Sequence, residues 1–315
     1  MRAALAVLAL AFAAGAHAQQ FPTKRVTFVS GVTPGSASDT MARILADKLS
    51  QKWGQTVIVE NKLGAGGLIG AKFVANSEPD GHMIMMYASA YTVSTILQPD
   101  VMNPNELQPV ATVATIPTVL ITQPEKYKTI QEFVGAAKQN PGKLICSDAG
   151  IGSATHMAFE RFRFAAGIPE VVNVHTKGVG EAITEVVSGR ADCYFALVFQ
   201  AKKIVDSGKL VALGTSSPKR SALMPDIKTL EEEGFKNASY NFWVGALVPA
   251  KTPRPIVDKL HDDITALVDS PEVIEQIKKL GCDPLPMSVH EFEQMVANEL
   301  RENGEIIKKA GIKPN

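Results

Sequence analysis

Strand-like and helix-like patterns alternate along almost the whole chain. "RVTFVS" (Arg25 to Ser30) is a short β-branched run, followed by a loop and then by Met41, Ile44, Leu45 and Leu49 at helical spacing. "TVIVE" and "MIMMYAS" supply second and third strands, with a helix over Gly67 to Asn76 between them. This βαβ order predicts a parallel sheet with helices on both faces. The same order restarts in mid-chain. Thr129 and Glu132 form a capping box opening a helix that stops at Asn140–Pro141–Gly142. "KLICSD" is then a strand, "AGIGS" a loop and "ATHMAFERF" a helix, and "VVNVH", "DCYFAL" and "LVALGT" add strands.

Two strand-like stretches with a proline near their ends, "TIPTVLITQP" (Thr115 to Pro124) and "NFWVGALVPA" (Asn241 to Ala250), are placed to carry the chain between two lobes. Beyond the second, Pro253 and Pro271 stand at first helical positions, and Ser288 with Glu291 gives another capping box. The resulting helical tail ends near Gly311 and is expected to pack back on the first lobe. The fold class is therefore α/β with two lobes, each a mainly parallel sheet flanked by helices, joined by a two-strand hinge. Residues 19–120 and 246–315 form a discontinuous first lobe, and 121–245 an inserted second lobe. A length of 315 residues suits this division, at roughly 100–200 residues per domain.

The N-terminus changes the setting. Arg2, the apolar run Ala3 to Ala14 and the triplet Ala16–His17–Ala18 read as a signal peptide over residues 1–18, cleaved after Ala18. The apolar run is too short to span a bilayer, which takes roughly 20 residues. Export to a periplasm follows. The 32 basic and 32 acidic residues balance, and cleavage removes one base, Arg2. That balance argues against nucleic acid or an anionic membrane as partner. Cys146, Cys193 and Cys282 match no zinc spacing and read as buried small hydrophobes, with a Cys146–Cys193 bridge left open.

"VIVENKLGAGGLIGAKFVA" (Val57 to Ala75) imitates a dinucleotide fingerprint. Glu60 to Leu63 separate its strand from Gly64, the third glycine comes late, and no strand-end acid follows about 20 residues on. A tight turn and close helix–strand packing explain these glycines better, and no cofactor is expected. "TPGSASDT" (Thr33 to Thr40) and "AGIGSATHM" (Ala149 to Met157) are more telling. Each follows a strand, opens a helix and combines Gly, Ser and Thr with almost no bulk. Free amides at a helix N-terminus together with hydroxyls bind a small anion, although the same residues also serve as ordinary caps. Neither loop has a P-loop lysine. Ser153, His156 and Glu160 lack a nucleophile elbow and an oriented base, two ligands make no zinc site, and His175 reads as structural. No catalytic constellation and no metal site emerge.

Four stretches taken together resemble the tripartite tricarboxylate transporter substrate-binding proteins, the Bug family. They are "FPTKRVTFVSGVTPGSASDTMAR", "VIVENKLGAGGLIGAKFVANSEPDGH", "PGKLICSDAGIGSATHMAFERF" and "VVNVHTKGVGEAITEVVSGRADCYF". The resemblance implies a type II periplasmic binding-protein fold whose lobes close on a small carboxylate, held by loop amides, hydroxyls and bridging waters. It places Gly35, Ser36, Ala37 and Ser38 on the first lobe's rim, with Asp39 supporting the helix start. Ser153, Ala154, Thr155 and His156 fall on the second rim, and Ser89 contributes from the first lobe. Phe195 is expected to wall the pocket and Asp192 to orient it, with plain core packing the competing reading for both. The chain departs from its relatives in the first loop, at Cys146 and Asp148 (often Tyr and a small residue) and at His175–Thr176 (often Pro–Tyr). These departures bear on the ligand's identity rather than its class.

The resulting expectation is a periplasmic, monomeric solute-binding protein, not an enzyme. It would deliver a small organic anion, aliphatic or aromatic, to integral-membrane subunits of a tripartite transporter. Two other readings are a sensor component feeding a two-component system and a periplasmic hydrolase or transferase using Ser153 and His156.

Overall fold

The computed structural model describes residues 21–313, so the expected leader lies outside the described residues. The chain begins with β1 (Val26–Ser30), α1 (Ala37–Trp53), β2 (Val57–Asn61), α2 (Leu68–Ala75), β3 (Met83–Ala88), α3 (Ala90–Leu97) and β4 (Leu107–Thr115). It continues through β5 (Thr118–Thr122), α4 (Ile130–Gln139), β6 (Ile145–Asp148), α5 (Ala154–Ala165) and β7 (Val172–His175). Next come α6 (Val179–Val187), β8 (Cys193–Leu197), α7 (Val198–Asp206) and β9 (Val211–Thr215). A long irregular segment leads to β10 (Trp243–Pro249), α8 (Arg254–Val268), α9 (Pro271–Lys279), β11 (Asp283–Pro284) and α10 (Val289–Ala310).

Local chemistry sets these boundaries. Ser36 caps α1 by accepting from the Asp39 amide, Met41, Leu45 and Leu49 face inward, and Gly54 ends the helix at φ 64°. The Ser288–Glu291 capping box opens α10. At α4 the box is only half made. Thr129 accepts from the Glu132 amide, but the Glu132 carboxylate reaches past it to the Lys128 amide. Pro253 is the cap of α8 rather than its first residue, whereas Pro271 does open α9.

The strands form two sheets, ordered β11-β4-β10-β3-β1-β2 and β7-β6-β8-β5-β9. Both are mixed rather than mainly parallel. β1 runs parallel to β2 and β3, and β6 parallel to β7 and β8, as the βαβ order requires. β4, β5 and β10 enter antiparallel to their neighbours. The chain changes sheet between Thr115 and Thr118 and returns just before Trp243. Where the two passages meet they are bonded to each other. The Ile116 amide donates to the Phe242 carbonyl (2.8 Å) and the Thr115 hydroxyl to Asn241 (2.6 Å).

Cys146 and Cys193 are paired in register on β6 and β8 and form a disulfide, while Cys282 is a buried free thiol. The tail also does more than cover the first sheet. Val289, Phe292 and Val296 of α10 pack into the cores of that sheet, but Ile307 joins the core of the second.

The glycine-rich stretch is a 3₁₀ turn over Ala65–Gly67 that feeds α2. Gly67 has φ 100°, and a Cβ there would lie 2.7 Å from the Tyr87 hydroxyl, which itself donates to the Gly66 carbonyl. Gly67→Ala is therefore expected to lower stability by about 1–3 kcal/mol, read as a fall in the urea midpoint. An unchanged midpoint would mean the turn relaxes freely.

Candidate functional site

In a parallel α/β sheet, ligands gather at the carboxyl ends of the strands. The loop after β1 and the loop after β6 stand there, one on each sheet. In the first, Gly35 is exposed at φ 83° and its amide donates to the Asp39 carboxylate (2.9 Å). Asp39 is fully buried and also accepts from Arg43 (2.9 Å) and Asn61 (2.7 Å). Burial pulls its carboxyl upward, but the bonds from Arg43, the Gly35 amide and Asn61 outweigh this and hold it below the usual carboxylate range. Asp39 thus fixes the loop from behind.

The second loop is also held by its own side chains. Ala149 donates to Thr155 Oγ1 (3.1 Å), Gly150 to Asp148 (2.8 Å) and Gly152 to His156 Nδ1 (3.1 Å), while Ser153 accepts from the His156 amide (3.2 Å). After these bonds, each helix keeps its first two amides unspent. Ala37 and Ser38 of α1, and Ala154 and Thr155 of α5, donate to no acceptor among the described residues. Each rim therefore carries a pair of N–H donors at the positive end of a helix dipole, the arrangement that receives a carboxylate.

The remaining expected residues stand elsewhere. Ser89 lies at the carboxyl end of β3 but is fully buried. Its hydroxyl pairs with Tyr240 (3.1 Å), and its amide donates to the Trp243 carbonyl. Asp192 does not orient the pocket. It precedes β8, at the amino end of the sheet, where it accepts from the Ile145 amide (2.8 Å) and pairs with Lys126 (2.6 Å). Phe195 is core rather than pocket wall, fully buried with Phe159 and Phe162. Helices cover both faces of this sheet, so inward and outward positions of β8 are equally buried. His156 is almost fully buried and its ring meets His175 edge-on, centroids 5.0 Å apart. Burial, tempered by Asp148 and Glu160, holds its imidazole below the usual histidine range.

Sequence reasoning missed the joint between the sheets. The Trp243 indole donates to Glu299 of α10 (2.9 Å), and Asn303 donates to Thr92 of α3 (3.0 Å), which also donates to Glu299 (3.3 Å). Arg161 of α5 bonds Glu302 (2.9 Å) and lies over the Tyr240 ring. Glu299 is buried, which pushes its carboxyl up to about 8 against the lowering effect of the Trp243 bond, Arg161 and Thr92. Only the helical phase of α10, with Glu299 and Asn303 on its apolar side, hinted at this.

Residues 41–312 match the family model described as tripartite tricarboxylate transporter family receptor. Among solved structures, the chain is similar to the periplasmic binding protein BugD, at 29% identity and a TM-score of 0.72 over 94% of this chain and 100% of that one. It is also similar to Rpa4515 of R. palustris with adipate (25%, TM-score 0.76, 94% and 100%). MatC (Rpa3494) of Rhodopseudomonas palustris with bound malate gives 26%, a TM-score of 0.71, and coverage of 91% and 100%.

Proposed function

Because the chain belongs to the tripartite tricarboxylate transporter receptor family, whose members are periplasmic solute-binding proteins and not enzymes, we propose that it captures a small dicarboxylate between its lobes. The observation that carries this reading is the pair of unspent helix-N-terminal amides on each rim, Ala37 with Ser38 and Ala154 with Thr155. One carboxylate would sit on each pair, with the Ser38 and Ser153 hydroxyls beside them and Gly35, Ser36 and Asp39 holding the first loop. The neighbours with malate and adipate support the ligand class. The lobes would follow the two sheets, so that the divisions expected at 120/121 and 245/246 each move a few residues toward the N-terminus, ahead of β5 (Thr118–Thr122) and of β10 (Trp243–Pro249). Closing them completes a set of donors that neither offers alone.

Export through the leader and transfer to membrane subunits of a tripartite transporter complete the proposal. The buried Cys146–Cys193 disulfide suits an oxidising compartment, and no described helix is long and apolar enough to cross a membrane.

A thermal-shift panel of mono-, di- and aromatic carboxylates tests the reading, since a ligand at a hundred times its Kd adds about 2.7 kcal/mol of stability. No shift with any member overturns it. A sharper test uses Ala37→Pro. Proline is tolerated at the first helical position and needs extended backbone before it, which Ser36 has at ψ 162°. The helix should survive while one amide donor is lost. Affinity for the dicarboxylate is expected to fall by about 1–3 kcal/mol with the ligand-free melting temperature nearly unchanged. Full affinity in the variant would remove the first rim from the site.

A further inference from the structure

α7 buries Val198 and Ala201 and carries Phe199, Lys202, Lys203 and Asp206 at the i, i+3, i+4 and i+7 spacing of one helix face. Opposite that face stands the end of α9, where Lys278 and Lys279 occupy the last turn and Gly281 follows. The approach is close. Gly281 has φ 74°, and a Cβ there would fall 2.2 Å from Phe199 Cβ, so the meeting of the two elements requires glycine. Between them, with Leu223 completing the lining, runs a groove of about 400 Å³. α7 lies between β8 and β9 of the second sheet and α9 between β10 and β11 of the first, so the groove bridges the two.

Its charge is one-sided. Four lysines and a single acid line it, and that acid, Asp206, is paired with Lys202 (2.9 Å). Among the described residues, no carboxylate forms an ion pair with Lys203, Lys278 or Lys279; Asp283, on β11, feels the charge of Lys278 without bonding it. A lysine in a last turn complements the helix dipole. That accounts for each lysine singly, but not for their convergence from two helices around an apolar floor. Phe199 is 37% exposed in their midst.

We propose that this groove docks an acidic chain segment, with carboxylates on Lys203, Lys278 and Lys279 and an apolar side chain on Phe199 and Leu223. The inference rests on the reading that the protein hands its ligand to membrane subunits, and the segment is assigned to the face of those subunits that meets it. One segment lying in the groove touches elements of both sheets. Other occupants fit less well. An anionic bilayer is flat, and a chain with 32 basic and 32 acidic residues has no net pull toward one. A small polyanion has no use for Phe199.

The test titrates the full chain with a fluorescent peptide of Asp and Glu around one leucine. Binding should weaken as salt rises from about 0.01 M to about 1 M and the screening length falls from about 30 Å to about 3 Å. Asn and Gln in place of the acids, or Lys203→Gln, Lys278→Gln and Lys279→Gln together, should each weaken it about tenfold, the combined worth of three surface pairs. Glycine in place of the leucine should weaken it severalfold. Full binding by the triple variant, or none by the native chain up to millimolar peptide, overturns the proposal. So does equal binding to phosphatidylglycerol vesicles, displacement by tripolyphosphate at the peptide's own concentration, or a dimer that the triple substitution dissolves. The triple variant keeps every cleft residue, so its thermal shift with a carboxylate should match that of the native chain. With the membrane subunits in proteoliposomes, it should need about tenfold more protein for half-maximal uptake. Uptake indifferent to the substitutions overturns the docking alone. No uptake with the native chain overturns the transporter reading, and the peptide still decides the groove.

Discussion

Removing the Cys146–Cys193 disulfide is expected to cost about 4 kcal/mol, from the entropy regained by a loop of its length in the unfolded chain; the two cysteines are 47 residues apart. The bridge joins β6 to β8 in the second sheet and is buried there, so the loss falls on one lobe. The chain's two tryptophans make this visible. Trp53 on α1 and Trp243 on β10 both pack in cores of the first sheet. Reduction, or replacement of both cysteines by Ala, should therefore pull the circular-dichroism transition in urea below the tryptophan-fluorescence transition. The oxidised protein should show the two together or nearly so. Curves that shift equally would mean the lobes unfold as one unit, and curves that do not shift would mean the reduced second lobe loses nothing.

Why some of this could be read from the chain and some could not is a matter of range. The loops at Thr33–Thr40 and Ala149–Met157 announce themselves because capping is local, with Ser36 and Ser153 bonding amides three residues on. The βαβ order likewise gives the parallel pairs β1–β2, β1–β3, β6–β7 and β6–β8. Strand patterns give existence but not neighbours, so the antiparallel entry of β10 beside β3 was not legible. Asp192 was misassigned because a polar residue beside a strand looks the same at either end; standing before β8, it belongs to the end away from the rim loops. Asp148 and His175 lie 27 residues apart and meet only through the register of two strands. The bounds of α10 were legible from Ser288 and Gly311, but its contact with the second sheet through Ile307 was not. Its 22 residues reach about 33 Å, enough to start in the first lobe and end in the second.

That span makes Glu299 the other residue whose replacement should be felt strongly. Its carboxyl is fully enclosed where Trp243, Thr92 and α10 meet, and burial raises it from 4.5 in the unfolded chain to about 8. Below about pH 4.5 the group is protonated in both states and contributes no difference. As pH rises from there, the unfolded chain releases the proton while the folded one keeps it, so stability falls until the folded carboxyl itself ionises. At roughly 1.4 kcal/mol per unit of separation, the loss between pH 5 and pH 7 is on the order of 2–3 kcal/mol. Glu299→Gln preserves an acceptor for the Trp243 indole and removes the titration. Urea midpoints of the two proteins should thus converge at acid pH and separate toward pH 8, with the variant the more stable. Parallel curves would mean that Glu299 is ionised in the fold and paid for by Arg161. Because Glu299 touches α3, which follows β3 of the first sheet, while Asn303, one turn on, bonds Arg161 on α5 beside the second, the same substitution also probes the joint between the two sheets.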